Sequence, residues 1–175
     1  MERISSRTVY QNPWMSVRED EVRRDDGVVA AYGVVDKADF VVVLPRSGDG
    51  FWLVEQYRYP VARRAWELPQ GGWGAGHTGT SSELARAELA EETGLRADAL
   101  THLGRLHPAY GFASQAYDVY LAEGLVEGEP NREPEEADMV HGWFSDADIR
   151  TMVHDGRMVD GISLSAMLLW SWRSA

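Results

Sequence analysis

Glu88-Leu89-Ala90-Glu91-Glu92-Thr93-Gly94-Leu95 sets three carboxylates at i, i+3 and i+4 and ends them with a glycine. On a helix, that spacing gathers all three acids on one face. Like charges so gathered repel, and the arrangement costs stability unless something positive sits among them. Two readings follow. The face is a solvated acidic stripe, as charge runs often are. Alternatively, it holds a divalent cation bound to a phosphate, because Mg²⁺ takes oxygen ligands from a few carboxylates and from substrate phosphates.

The flanks delimit the helix. Thr80-Ser81-Ser82-Glu83 has the form of a capping box, with a hydroxyl at the N-cap and an acid at N3. Gly94 stands where a helix-ending glycine would. Leu84, Ala85, Ala87, Leu89 and Ala90 supply apolar positions and good helix formers between them. A helix of roughly three to four turns is expected. Its acids fall in the C-terminal half, where the macrodipole disfavours negative charge. Upstream, Trp66-Glu67-Leu68-Pro69-Gln70-Gly71-Gly72-Trp73-Gly74-Ala75-Gly76 is a glycine-rich entry loop. It is either a plain connector or backbone that can approach a ligand closely.

Farther out, Met15 to Arg23 and Val28 to Val35 flank Arg24-Asp25-Asp26-Gly27, a hairpin signal. The continuous apolar run Phe40 to Leu44 suits a buried strand, and Phe51 to Gln56 returns after the Ser47–Gly50 turn. Ala99 to Leu106, Gln115 to Ala122 and Met139 to Phe144 read as strands. Gly124 to Ala137 reads as a long acidic loop, of the kind that often carries function. Asp146 to His154 and Ile162 to Trp172 read as helices. Strands with interspersed helices predict an α+β domain, a mixed sheet with helices packed on it.

At 175 residues the chain fits one domain with a sizeable core. No segment approaches the length of a membrane span, and no secretory pattern opens the chain. Without cysteine there is no disulfide or thiolate chemistry, which makes the cytoplasm the default location. A net charge of −11 argues against a nucleic-acid partner, which asks for a basic stripe. It does not exclude a diphosphate ligand, because bound cations can dominate the local charge.

From Val41 to Leu169 the sequence resembles the Nudix hydrolases. Glu88 to Leu95 matches the second half of their signature. Glu55-Gln56-Tyr57-Arg58-Tyr59-Pro60-Val61, Trp66-Glu67-Leu68-Pro69, Pro108-Ala109-Tyr110-Gly111-Phe112 and the acidic segment before Trp143-Phe144 resemble the branch that cleaves ADP-ribose and related nucleoside diphosphate sugars. Ala87 stands where the family has an Arg that orients a catalytic Glu, and Gly79 where it has a Glu. Arg86 is displaced by one position, about 100° around the helix, and cannot substitute.

The resemblance implies an α/β/α sandwich, with residues 1–36 as an N-terminal hairpin region that can serve dimerisation and 37–175 as the Nudix domain. It implies Mg²⁺ or Mn²⁺ held by Glu88, Glu91 and Glu92, with the Gln70 carbonyl as a further ligand. Glu92 and a late-loop acid, Glu135 or Glu136 rather than Glu133, would be catalytic. Arg58, Glu67, Tyr57 and Tyr110 would meet the substrate, with Trp66 and Trp73 as further stacking candidates. Each also has a structural reading: a surface ion pair for Arg58, a loop cap for Glu67, core for the aromatics, a solvated loop for the late acids. The implied partner is a small nucleotide, and the implied assembly a homodimer. Two other expectations stay open: a nucleotide-binding sensor with weakened catalysis, and a hydrolase of another nucleoside diphosphate derivative.

Overall fold

The computed structural model describes residues 1–74, 78–132 and 136–173. Three strands, β1 (Glu2–Gln11), β2 (Met15–Arg23) and β3 (Val29–Lys37), form a separate antiparallel sheet. Asp26-Gly27 turns β2 into β3, with Gly27 at φ 82°. The first strand was not read from the sequence. Every residue of β1 is exposed, so it shows no burial-driven alternation.

The larger sheet runs β10-β5-β4-β9-β8, with β6 added to β5 and β7 to β4. Its strands are β4 (Phe40–Ser47), β5 (Gly50–Arg58), β6 (Arg63–Glu67), β7 (Gln70–Gly71), β8 (Arg96–Leu106), β9 (Tyr117–Val126) and β10 (Val140–Ser145). Strands β4 and β9 are parallel and the other pairs antiparallel, so the sheet is mixed. The expected Gly124–Ala137 loop is shorter than read: β9 continues to Val126, which pairs with Arg96. The expected glycine-rich loop likewise contains the end of β6 and all of β7.

Phe40 to Leu44 is apolar throughout because both faces of β4 are covered. Val42 and Leu44 pack with Ile149 and Met152 of α2 (Asp146–Asp155) and Ala166 of α3 (Gly161–Arg173). Val41 and Val43 point the other way, against Leu84, Ala85 and Leu89 of α1 (Ser81–Thr93). The period of two along a strand thus builds the two cores of an α/β/α sandwich.

One detail of the sheet positions the site. β4 and β5 pair only at Arg46–Phe51 and Ser47–Gly50, then separate. Beyond that point β5 pairs with β6 from Val54–Glu67 to Arg58–Arg63, and β4 pairs with β7 at Val41–Gly71 and Val42–Gln70. Leu68-Pro69 therefore crosses from one side of the split to the other.

Helix α1 is bounded as its sequence requires. Thr80 and Glu83 make both bonds of the capping box, and Gly94 ends the helix in the left-handed region at φ 76°. A Cβ at Gly94 would also lie 2.2 Å from the Gly128 carbonyl oxygen. Replacing Thr80 by Ala removes the cap and should lower the unfolding free energy by about 1 kcal/mol. The check is the urea midpoint at unchanged m-value; an unmoved midpoint would show that the box contributes nothing.

Candidate active site

Helix α1 packs its Leu84–Ala85–Leu89 stripe on β4, and this turns Glu88 and Glu92 toward the split between β4 and β5. Both are buried, Glu92 at 1% exposure. The Glu92 Oε2 atom accepts a hydrogen bond from the Gln70 backbone N–H at 3.2 Å, while its buried Oε1 has no partner. The Glu88 carboxylate lies over Gly71, where a Cβ would stand 2.3 Å from Glu88 Oε2. Gly71 has no positive φ. Its glycine leaves room for that carboxylate, which a Cβ would oblige to shift.

Burial pushes the Glu92 carboxyl well above its usual range, and the charges of Glu88, Glu136 and Glu67 push it further. The charges of the acid helix and of Glu136 therefore both bear on Glu92. Among the described residues, no three His, Asp or Glu side chains are grouped as a ready metal cage. Mg²⁺ rarely uses one, being held by one or two carboxylates together with substrate phosphates. The orphaned Glu92 oxygen and the converging negative charge are what a hard cation would satisfy, so the residues present fit such an ion.

Glu67, at the end of β6, is 2% exposed and forms a second polar node. Arg58 bonds both its oxygens, through Nε at 3.2 Å and through Nη2. Gln56 Nε2 donates to it at 2.9 Å. Burial raises the Glu67 carboxyl against the pull of Arg58. Arg58, expected as a phosphate ligand, is thus engaged by Glu67, which holds it from below. Its side chain remains 42% exposed.

Asp160 and Ser163 were not singled out from the sequence. Asp160 accepts from the N–H groups of Ile162 at 3.3 Å and Ser163 at 2.8 Å, as an N-cap of α3 does. It also accepts from Gln70 Nε2 at 3.2 Å and from the Ser163 hydroxyl at 2.6 Å. Ser163 Oγ in turn accepts from the Leu68 N–H at 2.8 Å. The start of α3 thereby fixes the Leu68–Gln70 crossing. An Asp before a helical run is a capping signal, but nothing in the sequence says that the same carboxylate holds Gln70.

The remaining expectations divide. Glu91 is half-buried beside Glu88 and Glu92, and its backbone carbonyl accepts from the Asn131 N–H at 3.1 Å. Tyr57 and Tyr110 are exposed and open to a ligand. Trp66 packs edge-on against Phe144 at 4.6 Å and belongs with the core. The Trp73 ring occupies the space beside Gly79, where a Cβ would lie 2.8 Å from it. A longer side chain at position 79 would displace that ring. Glu133 and Glu135 lie outside the described residues.

The profile of the family described as "NUDIX domain" matches residues 36–161. The chain belongs to the Nudix family. A second profile, "Nucleoside diphosphate sugar hydrolase N-terminal domain", matches residues 1–35. An ADP-ribose pyrophosphatase of Mycobacterium tuberculosis is 36% identical over 95% of this chain and 81% of that protein. One of Bacillus subtilis is 29% identical over 78% of this chain and 74% of its own length. A crystal structure titled "ADP compounds hydrolase" superposes with a TM-score of 0.83 at 21% identity, covering 97% of this chain and 91% of that one. At that identity the superposition speaks for the fold, which is the Nudix fold. The family and the relatives make this chain a Nudix pyrophosphatase, a hydrolase of nucleoside diphosphate derivatives in the ADP-ribose pyrophosphatase branch.

The burial of Glu92 has a pH consequence. Its folded-state pKa is raised, so above the ordinary carboxylate range the unfolded chain has lost a proton that the folded chain keeps. Stability then falls as pH rises toward the folded-state pKa. Glu92→Gln removes that proton and can retain the Gln70 N–H bond. With a chelator present, the variant should melt above the parent, by a margin that widens as pH rises above the ordinary carboxylate range toward the folded-state pKa of Glu92. A margin that is constant or shrinks with pH would contradict the buried, repelled carboxylate.

Proposed function

We propose that this Nudix enzyme hydrolyses the diphosphate of ADP-ribose to AMP and ribose 5-phosphate with Mg²⁺ or Mn²⁺, as a cytoplasmic homodimer. The observation that carries the reading is the buried Glu92, with one oxygen orphaned and Glu88, Glu136 and Glu67 converging on it. A relative that shares 36% of its residues over 95% of the chain is named for this substrate. The dimer reading is supported by the wholly exposed β1, which leaves the N-terminal sheet a broad uncovered surface.

In this reading Glu88, Glu91 and Glu92, with the Gln70 carbonyl, hold the cation. When bound, it would neutralise phosphate oxygens and lower the pKa of a water. The protein's own groups do the rest. Gly71 leaves room for the Glu88 carboxylate at the mouth of the split. Arg58, oriented by Glu67, meets a phosphate oxygen with its exposed edge. Tyr57 and Tyr110 offer aromatic faces to the base, worth about 1–3 kcal/mol for each stacked base. A late-loop carboxylate, Glu136 or Glu135, takes the proton of the attacking water. The water oxygen bonds to one phosphorus, the bridging P–O bond breaks, and the leaving phosphate carries the electron pair away.

Ala87 supports a second reading, a nucleotide sensor with weakened catalysis, because its methyl cannot orient a neighbouring carboxylate. Incubation with ADP-ribose and Mg²⁺ separates the two. The expected products are AMP and ribose 5-phosphate, with kcat reduced at least about 100-fold in Glu92→Gln and lost with EDTA. Ligand binding by calorimetry without turnover, across a panel of nucleotide sugars, would favour the sensor. Light scattering at the mass of one chain would remove the dimer.

A further inference from the structure

The carbonyls that end a helix lack partners within it. At the end of α1, two of them are taken by one incoming segment. The Glu91 carbonyl accepts from the Asn131 N–H at 3.1 Å, and the Glu92 carbonyl accepts from Arg132 Nε at 2.9 Å. The close approach of Gly128 to Gly94 brings the segment there. The same guanidinium reaches a second element: Arg132 Nη2 stands 2.6 Å from His141 Nδ1 on β10. Because Nδ1 accepts, the imidazole is neutral and carries its proton on Nε2. Burial, and then the Arg132 charge, hold the His141 pKa below its usual value, as that tautomer requires. His141 pairs with Val54 in the β10–β5 ladder and lies beside Trp52, so this anchor belongs to the sheet.

Beyond Glu136 the chain is held again. Arg64 of β6 bonds Asp138 through Nη1 to Oδ2 at 2.5 Å and through Nη2 to the backbone carbonyl at 2.8 Å. The Met139 N–H donates to the Glu136 carbonyl at 2.9 Å. Glu136 thus lies between two arginine anchors, near enough to Glu92 for its charge to bear on that carboxyl. Carboxylates so placed repel, and that approach persists only if something else holds it. A cation at the negative end of a helix does so favourably, and Ala87 supplies none.

We propose that Arg132 is a positioning residue, which grips the end of α1 and strand β10 together and so holds Glu136 within range of Glu92. The inference rests on the reading above, in which those two acids serve the reaction. Its test is a double-mutant cycle on the full-length protein with ADP-ribose and Mg²⁺. Arg132→Ala should lower kcat by about 10–100-fold while KM stays within about two-fold. Arg132→Lys should restore only part, because a point charge cannot serve two acceptors as a planar fork does. In a Glu136→Gln background the Arg132→Ala loss should nearly vanish. Full additivity, or an unchanged kcat in Arg132→Ala, would overturn the proposal. Hydrogen exchange supplies a readout independent of turnover: amides 136–141 should exchange faster in Arg132→Ala, with those of α2 and α3 unchanged. Unaltered exchange at 136–141 also overturns it. If the parent protein hydrolyses no nucleotide, the activity reading fails by itself and the exchange result decides this one. Where Arg132→Ala does not fold, Arg132→Lys and Arg132→Gln carry both measurements.

Discussion

Strand β4 cannot satisfy its backbone with one neighbour on each edge. It runs parallel to β9 on one side, while its other edge passes from β5 to β7 after two residue pairs. Backbone groups buried in a sheet must find partners, so the chain leaving β6 has to cross the split and supply them. That obligation brings Gln70 and Gly71 beside α1. The Pro69 carbonyl adds a further bond, from the Val43 N–H at 2.9 Å. The pocket of charge is therefore a by-product of hydrogen-bond accounting in the central sheet, with both apolar cores packed around the strand that causes it.

Into this gap the fold places carboxylates that oppose one another. Glu92 has one oxygen bonded and one left without a partner. Glu67, by contrast, is answered by Arg58 and Gln56. The two buried acids thus have opposite settings: Glu67 is paired with a guanidinium, while Glu92 is met by further negative charge. In the proposed reading, a cation at Glu92 would let a chain with a net charge of −11 serve an anionic diphosphate.

The core of this arrangement was legible in the sequence because it is local. The capping box at Thr80 and the end at Gly94 bracket α1 by short-range chemistry, and the apolar Phe40–Leu44 run announces a strand covered on both faces. Strand β1 was missed because none of its side chains is buried, so the patterning that marks strands never arises. β6 and β7 were missed because they are short and owe their pairing to the parting of β4 and β5, a tertiary event. In the candidate site, the spacing read from the sequence is borne out as geometry, with Glu88 and Glu92 buried on one face of α1. Arg58 was singled out as well, but its bond to Glu67 depends on the β5–β6 register. Asp160, Ser163, Arg132 and His141 were invisible for the same reason: each acts on a residue distant in sequence, through contacts that only the folded chain creates.

The contact between Gly71 and Glu88 carries a lesson about how the two positions can change. Gly71 sits among other glycines and invites the reading of a hinge, yet what its missing side chain leaves is a mould of the Glu88 carboxylate. Shortening Glu88 to Asp would empty the mould but draw the acid back by one methylene. Filling the mould with Ala would oblige the carboxylate, the far end of a flexible side chain, to shift. The two positions thus share one small volume, described from two distant places along the chain.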